Sequence, residues 1–249
     1  MSPLFLLGGY DLEMLEIRHI LDRKKIPFLD KKLSWGARLS AYQADFPDFR
    51  AFSQVYGIEL IEDITPPAHY VRIDHHNEYA NREAAILQVA KILGHPPDWH
   101  MKLVAANDSG YIPALLEIGA SEAEIEEIRI ADRKAQGVTP EEEQAAIIAK
   151  KKKKMIKALT VVSFSGKRFS PVTDRLFGKT ENQLLVHNPT TFTYFGIGAQ
   201  NLAQKFEQEI RSGHAYYGGG PNGFFGGFQA KIPLQTIINS LLHECTSDT

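Results

Sequence analysis

The sequence predicts an α/β fold organised as two domains, a parallel-sheet domain followed by a smaller α/β one. Three observations carry that prediction. Short apolar runs such as Leu4–Leu7, Tyr70–Ile73 and 159–164 have the length of buried strands and end at turn residues. Segments with helical apolar spacing lie between them, and strands alternating with helices argue for a parallel sheet. The charge also changes sign along the chain. Residues 1–135 hold 15 basic against 21 acidic side chains, or −6, and residues 136–249 hold 13 against 9, or +4. An acidic half suits cations and a basic half suits phosphates, although much of the second excess is the single run Lys150 to Lys154, a solvated helix face by default.

The elements follow in order. Leu4–Leu7 stops at Gly8-Gly9, a strand ending in a tight turn, and residues 11–23 carry Leu12, Leu15, Ile17, Ile20 and Leu21 on one helical face. Residues 26–29 form a second short strand, 34–37 a loop, and 49–56 give no clear period. Residues 57–61 read as a strand with Glu59 inside it. Tyr70–Ile73 is another, with Asp74 directly at its end. A helix is expected over 82–93, and 101–106 ends a helix or strand before the turn-like Asn107-Asp108-Ser109-Gly110. Ser121 and Glu124 approximate a capping box for a helix over 122–133. Thr139-Pro140-Glu141-Glu142 starts another helix, read as the connection between domains. Beyond it come a strand at 159–164, a hairpin of Gln183–His187 and 191–195 around Asn188-Pro189, and a helix at 200–211. A glycine-rich stretch at 216–227 and a closing helix, Leu234–Glu244, complete the chain.

The bulk numbers exclude several classes. A chain of 249 residues can bury two cores, and 43% hydrophobic with 23% charged residues is ordinary for a folded protein. No apolar run is long enough for a bilayer span, and the N-terminus lacks a signal-peptide pattern. Cys245 is the only cysteine, which rules out an internal disulfide and a thiolate zinc cluster and points to a reducing, cytoplasmic location.

Chemistry concentrates in Asp74-His75-His76-Asn77. A strand ending in adjacent carboxylate and imidazole groups presents both at the sheet edge where ligands of open α/β sheets bind. Carboxylate with imidazole is a donor set for manganese, iron, cobalt or zinc. Asp11 and Glu13 after the first strand, Asp108 near an element end, and Glu59 or Asp63 are further acids in matching positions. Asp11 also reads as a helix cap, Glu13 as a first-turn acid and Asp108 as a turn residue. Lys167-Arg168 after a strand suits a phosphate. In Tyr216-Tyr217-Gly218-Gly219-Gly220-Pro221-Asn222, glycine backbone can approach an anion and the aromatic neighbours can stack a base.

Asp-His-His-Asn after a strand resembles the signature of the DHH phosphoesterase superfamily, in particular its RecJ-like and short-oligonucleotide members. The order of acidic turn, acidic strand end, motif, later aspartate and glycine-rich second domain is similar over most of the chain. The resemblance implies a DHH-type domain over 1–137, a connecting helix over 138–157, and a smaller substrate-binding domain over 158–249, with the active site in the cleft between them. It implies one or two divalent ions, usually Mn2+, held by Asp11, Glu13, His75, Asp108 and a bridging acid, Glu59 or Asp63. Asp74 would orient His75, and His76 would face the phosphate. Lys167, Arg168, Gly218, Gly219, Gly220 and Asn222 would bind substrate. The expected activity is hydrolysis of short oligonucleotides or small nucleotides by a metal-activated water, with neither membrane nor long duplex DNA as partner. The family's first-motif histidine position holds Leu7, Glu13 stands where an aspartate is usual, and Pro221 follows the triple glycine where histidine is usual. These departures leave open a nucleotide-binding protein with a weakened site. A pyrophosphatase-like enzyme is the other alternative. Composition does not fix the oligomeric state.

Overall fold

Leu4–Leu7 (β1) is buried along its whole length, as an unalternating apolar run requires of a strand covered on both faces. In the computed structural model, which describes residues 2–34, 36–179, 183–218 and 223–244, β1 opens the first of two units, residues 1–137 and 138–249. After it comes Leu12–Lys24 (α1). Asp11 caps this helix by accepting from the Met14 N–H, and Lys25 ends it in a left-handed conformation. Such a cap contributes about 1 kcal/mol. Phe28–Asp30 (β2), Val55–Ile58 (β3) and Tyr70–Ile73 (β4) complete a parallel sheet in the order β2-β1-β3-β4.

One face of this sheet packs on α1, Ala85–Ile92 (α2), Trp99–Glu117 (α3) and Glu122–Ala135 (α4), through Phe5, Leu7, Ile17, Leu21, Ile86 and Val104. The other face packs on Tyr42 and Phe49, from a tight 3-10 stretch at Leu39–Ala51. No helical period in the sequence announces that stretch, and Pro47 lies within it. The buried Tyr42 hydroxyl donates to the Leu7 carbonyl at 2.7 Å and accepts from the Lys31 N–H at 3.3 Å, so it pegs the end of β1.

The structure revises the expected elements at two functional points. The strand expected at 57–61 ends at Ile58, so Glu59 lies beyond it, with φ +52°. Asn107 to Gly110 is not a loop at an element end. It lies within α3, which is broken by non-helical backbone at Gly110 and Tyr111.

The second unit starts with Pro140–Lys151 (α5), held by a full capping box between Thr139 and Glu142. The connecting helix expected over 138–157 is shorter than that. It packs through Ala146 and Ala149 into a core of the second unit, and Lys154–Ile156 is a strand (β5). Lys154 sits on a sheet edge, where lysine discourages pairing with another chain. Leu159–Ser163 (β6), Ser170–Leu176 (α6), Gln183–His187 (β7), Thr191–Gly196 (β8), Ala199–Lys205 (α7), Glu207–Arg211 (α8), Ala215–Gly218 (β9), Phe224–Phe228 (β10) and Leu234–Glu244 (α9) follow. The sheet order is β5-β6-β7-β8-β10-β9, parallel only between β6 and β7. Cores form on both of its faces, one with α7 and α9, the other with α5 and α6.

Two expectations differ here. The helix expected over 200–211 breaks at Phe206, whose ring stacks on Phe225 at 5.7 Å. The glycine-rich stretch supplies two paired strands, because Tyr216 lies over Gly226 and Phe224 over Gly218, where no side chain intervenes. Among the described residues, no helix is long and apolar enough to cross a membrane.

Candidate metal centre

The ends of β1, β3 and β4 bring their following residues together, and Gly8 makes this possible. A Cβ on Gly8 would sit 2.1 Å from the Ile58 carbonyl oxygen and 2.7 Å from that of Glu59. Only glycine permits that approach. Glu59 takes a left-handed conformation while its N–H donates to the Ile73 carbonyl at 2.8 Å. A non-glycine residue held there costs about 1–3 kcal/mol, and such strain clusters at functional sites.

Glu13, 1% exposed, uses its two oxygens differently. Oε1 accepts from the Ile86 N–H at 3.0 Å, at the start of α2, where Ala84 offers no side-chain cap of its own. Oε2 faces His75. The His75 Nε2 atom lies 2.8 Å from Asp108 Oδ2, 3.2 Å from Glu59 Oε1 and 3.5 Å from Glu13 Oε2. All four atoms are buried, and none forms a hydrogen bond among the described residues. The His76 ring, 43% exposed, lies beside that of His75 with centroids 4.2 Å apart. Its nitrogens stand 3.7 Å from Glu59 and 3.8 Å from Asp108.

Asp74 reaches His76 and Arg72 rather than His75. It accepts from Arg72 Nε and Nη2 at 3.0 and 2.6 Å and from the His76 N–H at 2.9 Å, and its Oδ1 lies 3.3 Å from His76 Nδ1. Burial opposes its charge, but the bonds from His76 and Arg72 prevail and hold its carboxyl well below the usual range. Asp74 in turn raises the His76 imidazole against its burial. Arg72, two residues before Asp74, lies outside the four-residue motif, and its one signal in the sequence is that i and i+2 in a strand share one face.

Burial pushes the Asp11 carboxyl up to about 7, with Asp108, Glu59 and Asp132 adding to it against the hydrogen bond from Met14. Glu13 is raised by burial and by Asp108 and Glu59, against a lowering contribution from His75. Burial disfavours a charged His75, yet Asp108, Glu13 and Glu59 outweigh it and push the imidazole up to about 12. Two like charges about 4 Å apart repel by roughly 4 kcal/mol at an effective dielectric near 20. Carboxylates gathered as closely as those of Glu13, Glu59 and Asp108 around His75 therefore favour a cation among them.

The residues present fit a cation. One donor atom each from Glu59, His75, His76 and Asp108 lies within 4.8 Å of the others. Ligands about 2.0–2.2 Å from one ion lie within roughly 4.4 Å of each other, and the separations around His75 Nε2 meet that limit. The cluster thus has the capacity to bind a metal. Of the two acids left open by the sequence, Glu59 enters it. Asp63 instead accepts from the Ser40 N–H and hydroxyl at 3.0 and 2.6 Å. Leu7 is a buried core residue and adds no nitrogen donor.

In the second unit, Lys167 and Arg168 are exposed after β6, and the Lys167 N–H donates to Glu142 Oε1 at 3.0 Å. Gly218 ends β9 beneath the Phe224 ring. Gly219, Gly220 and Asn222 lie outside the described residues.

Comparison with solved structures finds the DHH domain of a ribosomal-protein family member at TM-score 0.52 and 11% identity, covering 97% of this chain and 87% of that one. A pGpG-specific phosphodiesterase, PggH from Vibrio cholerae, gives 0.49 at 13% identity over 98% and 99%. RecJ from Thermus thermophilus in complex with Mn2+ gives 0.42 at 12% identity over 93% of this chain and 50% of that one. No family model and no curated protein sequence matches the chain. The similarity to the DHH domain gives the fold, which agrees with the resemblance carried by Asp74-His75-His76-Asn77.

Proposed function

We propose that the protein is a divalent-metal-dependent phosphoesterase acting on short oligonucleotides or small nucleotides. The observation that carries this reading is the convergence of Glu13 Oε2, Glu59 Oε1 and Asp108 Oδ2, all buried, on His75 Nε2 at 3.5, 3.2 and 2.8 Å. In this reading His75, Glu59, Asp108, Glu13 and Asp11 hold one or two ions, with Mn2+ the preferred metal. A bound ion supplies Lewis acidity and a lowered pKa for water.

The remaining steps belong to the chain's own groups. His76 stands at the exposed side of the cluster, and Asp74 raises its pKa, so the ring keeps a proton to donate to a phosphate oxygen or leaving group. Arg72 keeps Asp74 ionised and fixed. Lys167, Arg168, Gly218, Gly219, Gly220 and Asn222 bind the nucleotide end. The exposed Tyr216 ring, beside Phe224 at 6.2 Å, favours a base over inorganic pyrophosphate.

The buried, apolar Leu7 favours a second reading, a nucleotide-binding protein whose site is short of one nitrogen ligand. A hydrolysis panel of short oligonucleotides, linear and cyclic dinucleotides and pyrophosphate, with and without Mn2+, separates the readings. The expected result is Mn2+-dependent cleavage of the nucleotides, abolished in His75→Ala. Binding of nucleotides with no cleavage supports the second reading, and cleavage of pyrophosphate alone removes the nucleotide assignment.

A further inference from the structure

We infer that the buried pair Arg129–Asp132 on α4 positions the metal centre by fixing α1 and α3 at the points that carry its acidic ligands. This rests on the metal-site reading above and adds residues that neither the motif nor the ligand cluster contains. Arg129 is 7% exposed and Asp132 5% exposed. Arg129 Nη1 donates to Asn107 Oδ1 at 2.7 Å and to Asp132 Oδ2 at 2.8 Å, and the guanidinium lies 4.6 Å from the centre of the Tyr111 ring. It therefore grips α3 immediately before Asp108 and three residues after it.

Between those grips the backbone breaks. Tyr111 has φ +59° and ψ −148°, a region that side chains other than glycine avoid. A strained break persists only where its surroundings hold it. Asp132 reaches the other ligand-bearing element, with Oδ1 3.4 Å from the Leu12 N–H, between Asp11 and Glu13. Its Oδ2 also accepts from Gln136 Nε2 at 3.1 Å. One buried ion pair thus links the Asp108 segment to the Asp11–Glu13 segment.

Stability alone does not explain the pair. Desolvating two charges costs several kcal/mol per ion, and apolar residues of similar volume usually hold two helices as well or better. One nitrogen of the planar guanidinium serves both Asn107 and Asp132 while the plane itself lies by the Tyr111 ring, a combination that a lysine ammonium does not reproduce. Partners that orient metal ligands typically change metal affinity by about 10–100-fold when replaced.

The test is Mn2+ affinity of the full-length protein, measured by electron paramagnetic resonance, beside thermal unfolding of each metal-free variant. Arg129→Lys and Asp132→Asn are expected to weaken Mn2+ binding by about 10–100-fold while remaining folded. Leu115→Ala, a core truncation on α3, is the control, expected to lower the melting temperature without changing the Kd of the folded protein. Should either charge variant fail to fold, Tyr111→Gly, which adopts the same backbone without strain, is expected to weaken binding in the same direction. Tight Mn2+ binding by the wild type with an unchanged Kd in the folded variants overturns the positioning role and leaves the metal site standing. No Mn2+ binding by the wild type overturns both.

Discussion

Residue chemistry in this protein turns on which groups keep a proton when no cation is present. Asp11 is raised to about 7, so between about pH 4 and about pH 7 the folded state binds more protons than the unfolded chain. Stability falls with rising pH across that window, and Glu13, shifted the same way, adds to the slope. His75, raised to about 12, continues the trend above its ordinary value. Asp74, shifted down, contributes stability that is complete above about pH 4 and lost only in acid. The metal-free protein is therefore expected to melt at progressively lower temperature from about pH 4.5 to about pH 7, and Asp11→Asn to flatten that decline. If the site binds Mn2+ as proposed, stabilisation by the ion is expected to grow over the same range, because metal binding displaces protons from its ligands. Melting curves in chelator and in Mn2+ check both, and a flat metal-free profile contradicts the assignment. Asp74→Asn tests the proposed proton-donor role of His76 separately. It should lower the His76 pKa, move the alkaline limb of the kcat profile to lower pH and cost about 100-fold in kcat, with Mn2+ affinity little changed.

Elements decide how much of this is legible in the sequence. β1, α1 and β4 follow from short apolar runs and an acid cap, so the sequence places Asp11, Glu13, His75 and His76 at strand ends or helix starts. Glu59 reads as lying inside a strand and does not: β3 ends at Ile58, and Glu59 follows in a left-handed conformation at the close approach of Gly8, which no local propensity of the apolar run announces. Asp108 reads as a turn residue because Asn-Asp-Ser-Gly is turn-like, whereas packing holds it within a kinked helix. Arg129 and Asp132 are charges beside Ile128 and Ala135 on a helix that buries all four. Charge within a buried face is the signal that could have found them. Gly8 makes the element-scale prediction. Gly8→Ala must drive the ends of β1 and β3 apart, costing about 3 kcal/mol in stability and weakening Mn2+ binding. Denaturant unfolding and a Mn2+ titration read the two effects, and wild-type stability would contradict the close approach.

At the scale of the whole molecule, the two units have separate cores. The buried clusters around Phe5 and Tyr42 draw on residues of the first unit, and those around Phe225 and Phe164 on the second. Each unit has what independent folding requires. A fragment of residues 1–137 is expected to unfold cooperatively and bind Mn2+ as the full chain does, while losing nucleotide cleavage if the second unit holds the substrate. An unfolded fragment, or one with full activity, contradicts that division of labour. The central claim concerns the ion itself and is reached most directly by anomalous diffraction from crystals grown with Mn2+. A peak within about 2.0–2.4 Å of His75 Nε2, Glu59 and Asp108 is the result expected. At saturating Mn2+, a cluster with no peak, or Mn2+ bound only elsewhere, would contradict the account.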